Sequence, residues 1–227
     1  MLAALGDLSD LDVVEMAPGS GTTAAAVLGQ RPRSYTGVER DAGTASVLRR
    51  LTGDRGTILV ADAAATDLAS HCADVVIGEA LLTMQSDRAK DAIVAETARL
   101  LRPGGRCAVH ELALVPDDLN TERKTEIRQA LARPLRVNAR PLTLREWAAL
   151  FSRHGLTVTF TETAPMALLE PRRVVADEGA LGATRFAFNV LTRSAARGRV
   201  LQMRRALRAH RAFLRAVVLV AHKTDAE

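Results

Sequence analysis

An α/β fold built on one doubly wound, mostly parallel sheet is predicted by three features of this 227-residue sequence. Short apolar segments alternate with helical ones from residue 12 onward, as successive strand and helix units do. The first of them, Val13-Val14-Glu15-Met16, runs into the small-residue turn Ala17-Pro18-Gly19-Ser20-Gly21 and then into a helix from about Gly21. Two later segments end in acidic residues in the same manner, at Glu39 and Asp62, so successive strand ends share one chemistry. With 48% apolar residues the chain suffices for one such domain with a full core, whereas two domains would be cramped.

Residues 1–11 offer a short apolar lead-in, with Leu2, Leu5 and Leu8 spaced for one face. In the turn that follows, Gly19 and Gly21 can take positive φ and carry no Cβ, which lets a ligand approach the backbone. The free N–H groups of the helix through Leu28 face the same turn and favour an electron-rich partner. The alternative is a tight strand-to-helix turn with no ligand. A dinucleotide site is disfavoured, because Ala17 stands where its fingerprint requires the first glycine and no third glycine follows.

Arg31-Pro32-Arg33 breaks the chain before a second strand over 34–39 and a helix over 42–51. Glu39 lies at the tip of that strand, beside the glycine turn in a doubly wound sheet, where it can accept hydrogen bonds from ribose hydroxyls. Arg40 follows it, and Asp41 reads as a helix-start carboxylate favoured by the macrodipole. A third strand over 57–60 leads into Asp62-Ala63, with Asp62 either a ligand contact or an N-cap. The fourth strand, 74–78, runs into Glu79, and an amphipathic helix from about 87 to 101 carries Ile93, Val94, Thr97, Leu100 and Leu101 on its inner side. Leu101-Arg102-Pro103-Gly104-Gly105 stops that helix and opens a fifth strand over 107–112, which bears His110 and Glu111. A charged helix follows over 121–133. Thr143-Leu144-Arg145-Glu146 is a capping box for a helix carrying Trp147, Leu150 and Phe151. A sixth strand alternates over 156–161, two helices occupy 178–210, and a last strand spans 216–221.

The acidic-x-small-x-Gly-x-Gly turn at 15–21, Glu39, Asp62 and the helix, Leu-Arg-Pro-Gly-Gly turn and strand at 87–112 together resemble the class I S-adenosylmethionine-dependent methyltransferases, in particular the small-molecule type 11 group. The resemblance implies a Rossmann-like seven-stranded doubly wound sheet of order 3-2-1-4-5-7-6, with strand 7 antiparallel. It implies one domain over 1–227, with a core at 12–162 and 213–222 and a helical lid inserted at about 163–212. It also implies S-adenosylmethionine as cofactor, with Glu15, Ala17, Pro18, Gly19 and Gly21 around its methionine part, Glu39 and Arg40 at the ribose, and Asp62 and Ala63 at the adenine. Glu79, after strand four, is assigned to both the cofactor and the reaction.

Ligands of open α/β sheets sit at the carboxyl ends of the strands, which makes Glu79, His110 and Glu111 the catalytic candidates. Neighbours on a strand face opposite ways, so at most one of His110 and Glu111 looks directly into the site. A histidine suits a general base for a hydroxyl acceptor, and a buried, hydrogen-bonded histidine is the alternative. On the expected lid, Arg185 and Asn189 are four apart and share a helical face that could bind an oxygen-rich acceptor.

The net charge of +5 is uneven: residues 1–178 hold 21 Lys+Arg against 24 Asp+Glu, and residues 179–227 hold 10 against 2. This Arg-rich segment keeps a second function class open, an RNA-directed methyltransferase or nucleic-acid binder. Against it, Gly78-Glu79-Ala80-Leu81 stands where an amino-methylating nucleic-acid enzyme carries Asp/Asn-Pro-Pro-aromatic, and only 3% of residues are aromatic, which leaves few stacking platforms. The two classes differ in whether those arginines form one face at the cofactor mouth or disperse over a small-molecule lid. No metal-ligand spacing is present, and Cys72 and Cys107 read as reduced, buried residues. The sequence shows neither a signal peptide nor an apolar run long enough to span a membrane, so a cytoplasmic protein is expected. A homodimer is compatible with this reading.

Overall fold

The computed structural model describes residues 1–135, 139–165, 205 and 207–224. Its strands are β1 (Asp12–Met16), β2 (Ser34–Glu39), β3 (Thr57–Val60), β4 (Ala73–Glu79), β5 (Leu101–Leu114), β6 (Leu142–Thr143), β7 (Leu156–Pro165) and β8 (Leu214–Lys223). Its helices are α1 (Leu2–Leu5), α2 (Thr22–Gly29), α3 (Ala42–Thr52), α4 (Asp87–Leu100), α5 (Thr121–Leu135) and α6 (Leu144–Ser152). The strands form one sheet of order β3-β2-β1-β4-β5-β8-β7, in which β8 runs antiparallel to both neighbours. With β7 and β8 as the sixth and seventh strands of the expected order, this is 3-2-1-4-5-7-6 with the seventh antiparallel. The short β6 is an addition to that pattern and pairs in parallel with the far end of β5.

Alternation along the strands divides the core into two layers. Val13, Tyr35, Ile58, Val75, Ile77 and Ala108 pack with α1, α2 and α3 on one face of the sheet. Val14, Met16, Val76, Cys107 and Val109 pack with α4 and α6 on the other. The expected lead-in is α1, with Leu5 and Leu8 buried in the first layer. A third apolar group, with Ile127 and Leu131 of α5 beside Leu114 and Leu214, lies at the end of the β5–β8 pair, where Leu114 meets Leu214.

Local signals set the helix ends. Ser86 caps α4 by accepting the Ala89 N–H, Asp41 caps α3 through Thr44, and the Thr143/Glu146 capping box opens α6 as its sequence predicts. Strand β5 starts directly at Leu101, six residues before its sequence suggests, because Leu101 already pairs with Ala73 and the chain bulges through residues 102–105, with Gly104 left-handed at φ 71, before pairing resumes at Val75↔Arg106. β7 and β8 also outrun the expected 156–161 and 216–221, since each completes the other's hydrogen bonding as far as Pro165↔Arg215. The expected insertion over 163–212 lies outside the described residues from 166 to 204.

The connection from β3 to β4 has little regular structure and is tied to α4 through Glu96. Its Oε1 accepts both the Thr66 N–H (2.9 Å) and the Thr66 hydroxyl (2.6 Å), and its Oε2 accepts Arg99 Nε at 2.7 Å. Arg99 reaches on to the Leu68 carbonyl and the Ser70 hydroxyl. Arg99 first, and then Thr66, hold the Glu96 carboxyl down at about 2 against burial. A carboxyl lowered in the fold contributes stability above its ordinary value near 4.5 and loses it as pH falls through about 2. Glu96→Gln is therefore expected to lose about 2 kcal/mol at pH 7, and urea unfolding from pH 7 to 3 should show its deficit narrowing below pH ~4.5.

Candidate cofactor and methyl-transfer site

The chain leaves β1 through a turn in which Ala17 (φ 54), Gly19 (φ 53) and Gly21 (φ 80) are all left-handed. For Ala17 that conformation costs about 1–2 kcal/mol, which glycine would not incur, and its N–H is held by the Val38 carbonyl at 2.8 Å. Gly21 has a second reason to lack a side chain, because a Cβ there would lie 3.0 Å from both Leu48 and Leu51 of α3. A Cβ on Gly19 would meet only the Ala17 carbonyl, at 3.8 Å, so the space over that residue is open. No side chain caps α2 and its first turn has no acidic residue. The turn with that helix start is thus an open backbone cradle with donors.

The parallel register aligns the expected acidic residues along one edge. Glu15 lies opposite Gly37 and Ile77, Glu39 opposite Val60, and Glu79 opposite His110. Glu39 Oε1 accepts the Asp41 N–H at 2.9 Å, and Arg40 is exposed beside it. Asp62 caps its own turn, with Oδ1 accepting the Ala64 N–H at 2.8 Å, and neighbouring Ala63 is part of that turn. Glu15 is 2% exposed, and its one hydrogen-bond partner among the described residues is the Tyr35 hydroxyl, 2.7 Å from Oε2. Burial pushes the Glu15 carboxyl up to about 7, against the lowering effect of Tyr35 and with a smaller upward push from Glu79.

The catalytic candidates separate. His110 Nδ1 is 3.1 Å from Glu79 Oε1, and Glu79 Oε2 accepts the Thr23 hydroxyl of α2 at 2.6 Å. The His110 hydrogen bond, helped by Thr23, holds the Glu79 carboxyl below its ordinary range despite partial burial. A carboxylate acceptor at Nδ1 assigns the proton to that nitrogen and leaves Nε2 as the basic one. Glu111 faces the other way and is buried. Its two oxygens accept the N–H groups of Leu82 (2.6 Å) and Thr83 (2.9 Å), while burial raises its carboxyl. Its geometry is that of an anchor for the turn after β4, apart from the Glu79–His110 pair.

Tyr35 and Thr23 are contributors that the sequence reading did not name. The only signal for Tyr35 was its alternation with Gly37, and Thr23 looked like an ordinary first-turn residue. Arg185, Asn189 and most of the Arg-rich segment lie outside the described residues. Among the described residues no group of His, Cys, Asp and Glu could hold a metal ion. Likewise, no helix among them is long and apolar enough to cross a membrane.

A methyltransferase-domain family model matches residues 14–109 of the chain. An uncharacterized protein of Haemophilus influenzae is 29% identical over 196 residues, covering 84% of this chain and 76% of that one. Among solved structures, a candidate sarcosine dimethylglycine methyltransferase of Galdieria sulphuraria superposes with a TM-score of 0.79 at 16% identity, over 99% of this chain and 83% of the other. Phosphoethanolamine N-methyltransferase 2 of Haemonchus contortus, solved with phosphomonomethylethanolamine and S-adenosylhomocysteine, gives 0.73 at 16% identity, over 99% of this chain and 52% of that longer one. At such identities the structural likeness speaks to the fold, and the matched domain spans the cradle, Glu39, Asp62 and Glu79. The chain thus carries a methyltransferase-domain match over residues 14–109 and has the Rossmann-like fold of the class I S-adenosylmethionine-dependent methyltransferases.

Proposed function

We propose that the chain is an S-adenosylmethionine-dependent methyltransferase acting on a small organic acceptor whose attacking group must lose a proton, a hydroxyl above all. The observation that carries this reading is the alignment of a cofactor cradle and a carboxylate-oriented histidine on one sheet edge. S-adenosylmethionine supplies an activated methyl group on a sulfonium, so the transfer is an in-line displacement that asks the protein mainly for placement.

The residues present fit that cofactor. The open space over Gly19 admits a ligand to the backbone, and Glu15 is a buried carboxylate with no cationic partner among the described residues. Buried charges are ordinarily paired, and a cationic group of the ligand would complete this one. Glu15, Ala17, Pro18, Gly19 and Gly21 would hold the methionine part, Glu39 and Arg40 the ribose, and Asp62 and Ala63 the adenine. Asp62 Oδ2, free of protein partners among the described residues, remains able to accept a ligand donor while Oδ1 caps the turn.

On the acceptor side, Glu79 holds the His110 ring through Nδ1, so that Nε2 can take a proton as the acceptor attacks. Thr23 links Glu79 to the helix that begins at the cradle, so the base and the cofactor site share one support. Structural neighbours named for sarcosine, dimethylglycine and phosphoethanolamine favour a small acceptor over nucleic acid. The two free cysteines, Cys72 and Cys107, accord with a cytoplasmic location.

Glu39→Ala should weaken S-adenosylmethionine binding at least about tenfold, through lost charge-assisted hydrogen bonds. Titration calorimetry on the two proteins measures this, and equal affinities would remove Glu39 from the site. Once a screen with labelled cofactor has found an acceptor, His110→Ala should lower kcat by about 10²–10⁴ while leaving cofactor affinity intact. Unchanged kcat in that variant would exclude His110 as the base.

A further inference from the structure

Tyr35 has no part in the cofactor contacts proposed above, yet its surroundings are built around its reach. It is 2% exposed, and its register partner in β1 is Val13, two residues before Glu15. To reach Glu15 the ring must pass over Gly37, the residue paired with Glu15. A Cβ on Gly37 would lie 3.2 Å from the Tyr35 hydroxyl and 2.8 Å from Ile58. On the ring's other side, a Cβ on Gly56 would lie 2.6 Å from Tyr35 Cδ1. Two residues without side chains therefore leave the slot that brings the phenol within 2.7 Å of the carboxylate.

We propose that Tyr35 is a positioning residue for the cofactor: its hydroxyl holds the Glu15 carboxylate oriented and ionised to receive a cationic group of the ligand. The inference rests on the placement of Glu15 in the cofactor site. Around Glu15, β2 contributes Tyr35 and β4 contributes Glu79, whose repulsion disfavours a second negative charge. Glu79 is in turn offset by His110 of β5. The α2 segment packed nearby, TTAAAVLG, carries no charge. The phenol is thus the one hydrogen-bond donor to Glu15 among the described residues, and burial holds its own proton in place far above neutral pH. A neutral donor can stabilise the carboxylate without competing for the ligand's positive charge.

The signs follow from the Glu15 carboxyl being raised to about 7. In the ligand-free protein, the stability that Glu15 contributes is present below the ordinary value near 4.5 and is lost as pH rises through about 7. A cation binds the ionised form, so cofactor affinity rises over the same interval. Removing the hydroxyl takes away a lowering influence, so both transitions should move to higher pH.

The test is calorimetric titration of S-adenosylmethionine into wild type, Tyr35→Phe and Glu15→Gln from pH 5.5 to 8.5, with urea unfolding of the ligand-free proteins over the same range. The ligand's own amine titrates alike in all three series. Wild type should bind more tightly up to about pH 7 and then level off. Tyr35→Phe should bind about tenfold more weakly at pH 7, from one lost hydrogen bond to a charge, with the deficit narrowing toward pH 8.5. Glu15→Gln should bind weakly with no such transition. In unfolding, Tyr35→Phe should carry the loss of stability to higher pH than wild type, and Glu15→Gln should abolish it. A Tyr35→Phe deficit equal at every pH, wild-type affinity throughout, or coincident unfolding profiles would each overturn the proposal. Wild-type binding by Glu15→Gln would instead remove Glu15 from the cofactor site and the proposal with it.

Discussion

The register of β1 between β2 and β4 is the constraint on which the rest depends. Parallel hydrogen bonding fixes Glu15 opposite Gly37 on one side and Ile77 on the other, and it brings Glu79 level with His110 one strand further on. A slip of one residue would exchange the faces of β1. Glu15 would then enter the apolar layer that holds Val14 and Met16, and its contact with Tyr35 would be lost. The same register holds the Ala17 N–H on the Val38 carbonyl, which supports a left-handed alanine where the chain must turn sharply into α2. Strand pairing thus governs both the shape of the cradle and the groups around it.

Carboxylates gathered on one edge repel each other unless each is compensated, and here the compensation is unequal. Glu39 and Asp62 each accept one backbone N–H. Glu79 has an imidazole and a hydroxyl, and its carboxyl lies below the ordinary range. Glu15 has one phenol and deep burial, and is pushed up to about 7. Environments that drive two neighbouring acids in opposite directions divide their work. Glu79 is favoured as the ion beside His110, whereas Glu15, with no cationic partner among the described residues, is the acid whose charge burial disfavours most.

Much of this was legible in the sequence wherever the cause is local. The glycine turn and the capping box at Thr143 and Glu146 appear in the structure, as does the strand order that the family resemblance implied. The candidate site residues were expected at strand ends, and Glu39, Glu79 and His110 do fall at the ends of paired strands, with Asp62 just past β3. Contacts made across strands were not readable. Tyr35 meets Glu15 only through a register and two missing side chains, and Thr23 meets Glu79 across a separation of 56 residues. Glu111 looked equivalent to His110, since the rule that neighbours face opposite ways does not say which face is the site. The lengths of β5 and β8 were underestimated because pairing prolongs them, β5 at its start through Ala73↔Leu101 of β4 and both strands together as far as Leu114↔Leu214.

The burial of Glu111 then has a consequence for its neighbour on the other face. A buried carboxylate is costly unless its oxygens are satisfied, and here the backbone N–H groups of Leu82 and Thr83 satisfy them. Thr83 is held further by the Leu112 N–H donating to its hydroxyl at 3.2 Å and by the Arg140 N–H donating to its carbonyl at 2.7 Å. The turn that leaves Glu79 is therefore pinned from β5 and from the approach to β6. Between the pinned turn and β4 stands Ala80, left-handed at φ 51, with its N–H on the His110 carbonyl at 2.9 Å. A strained alanine persists only where its surroundings over-determine it, and these contacts do so. The Glu79 carboxylate consequently meets His110 from a backbone with little freedom, which is what an imidazole needs if its second nitrogen is to point at one place.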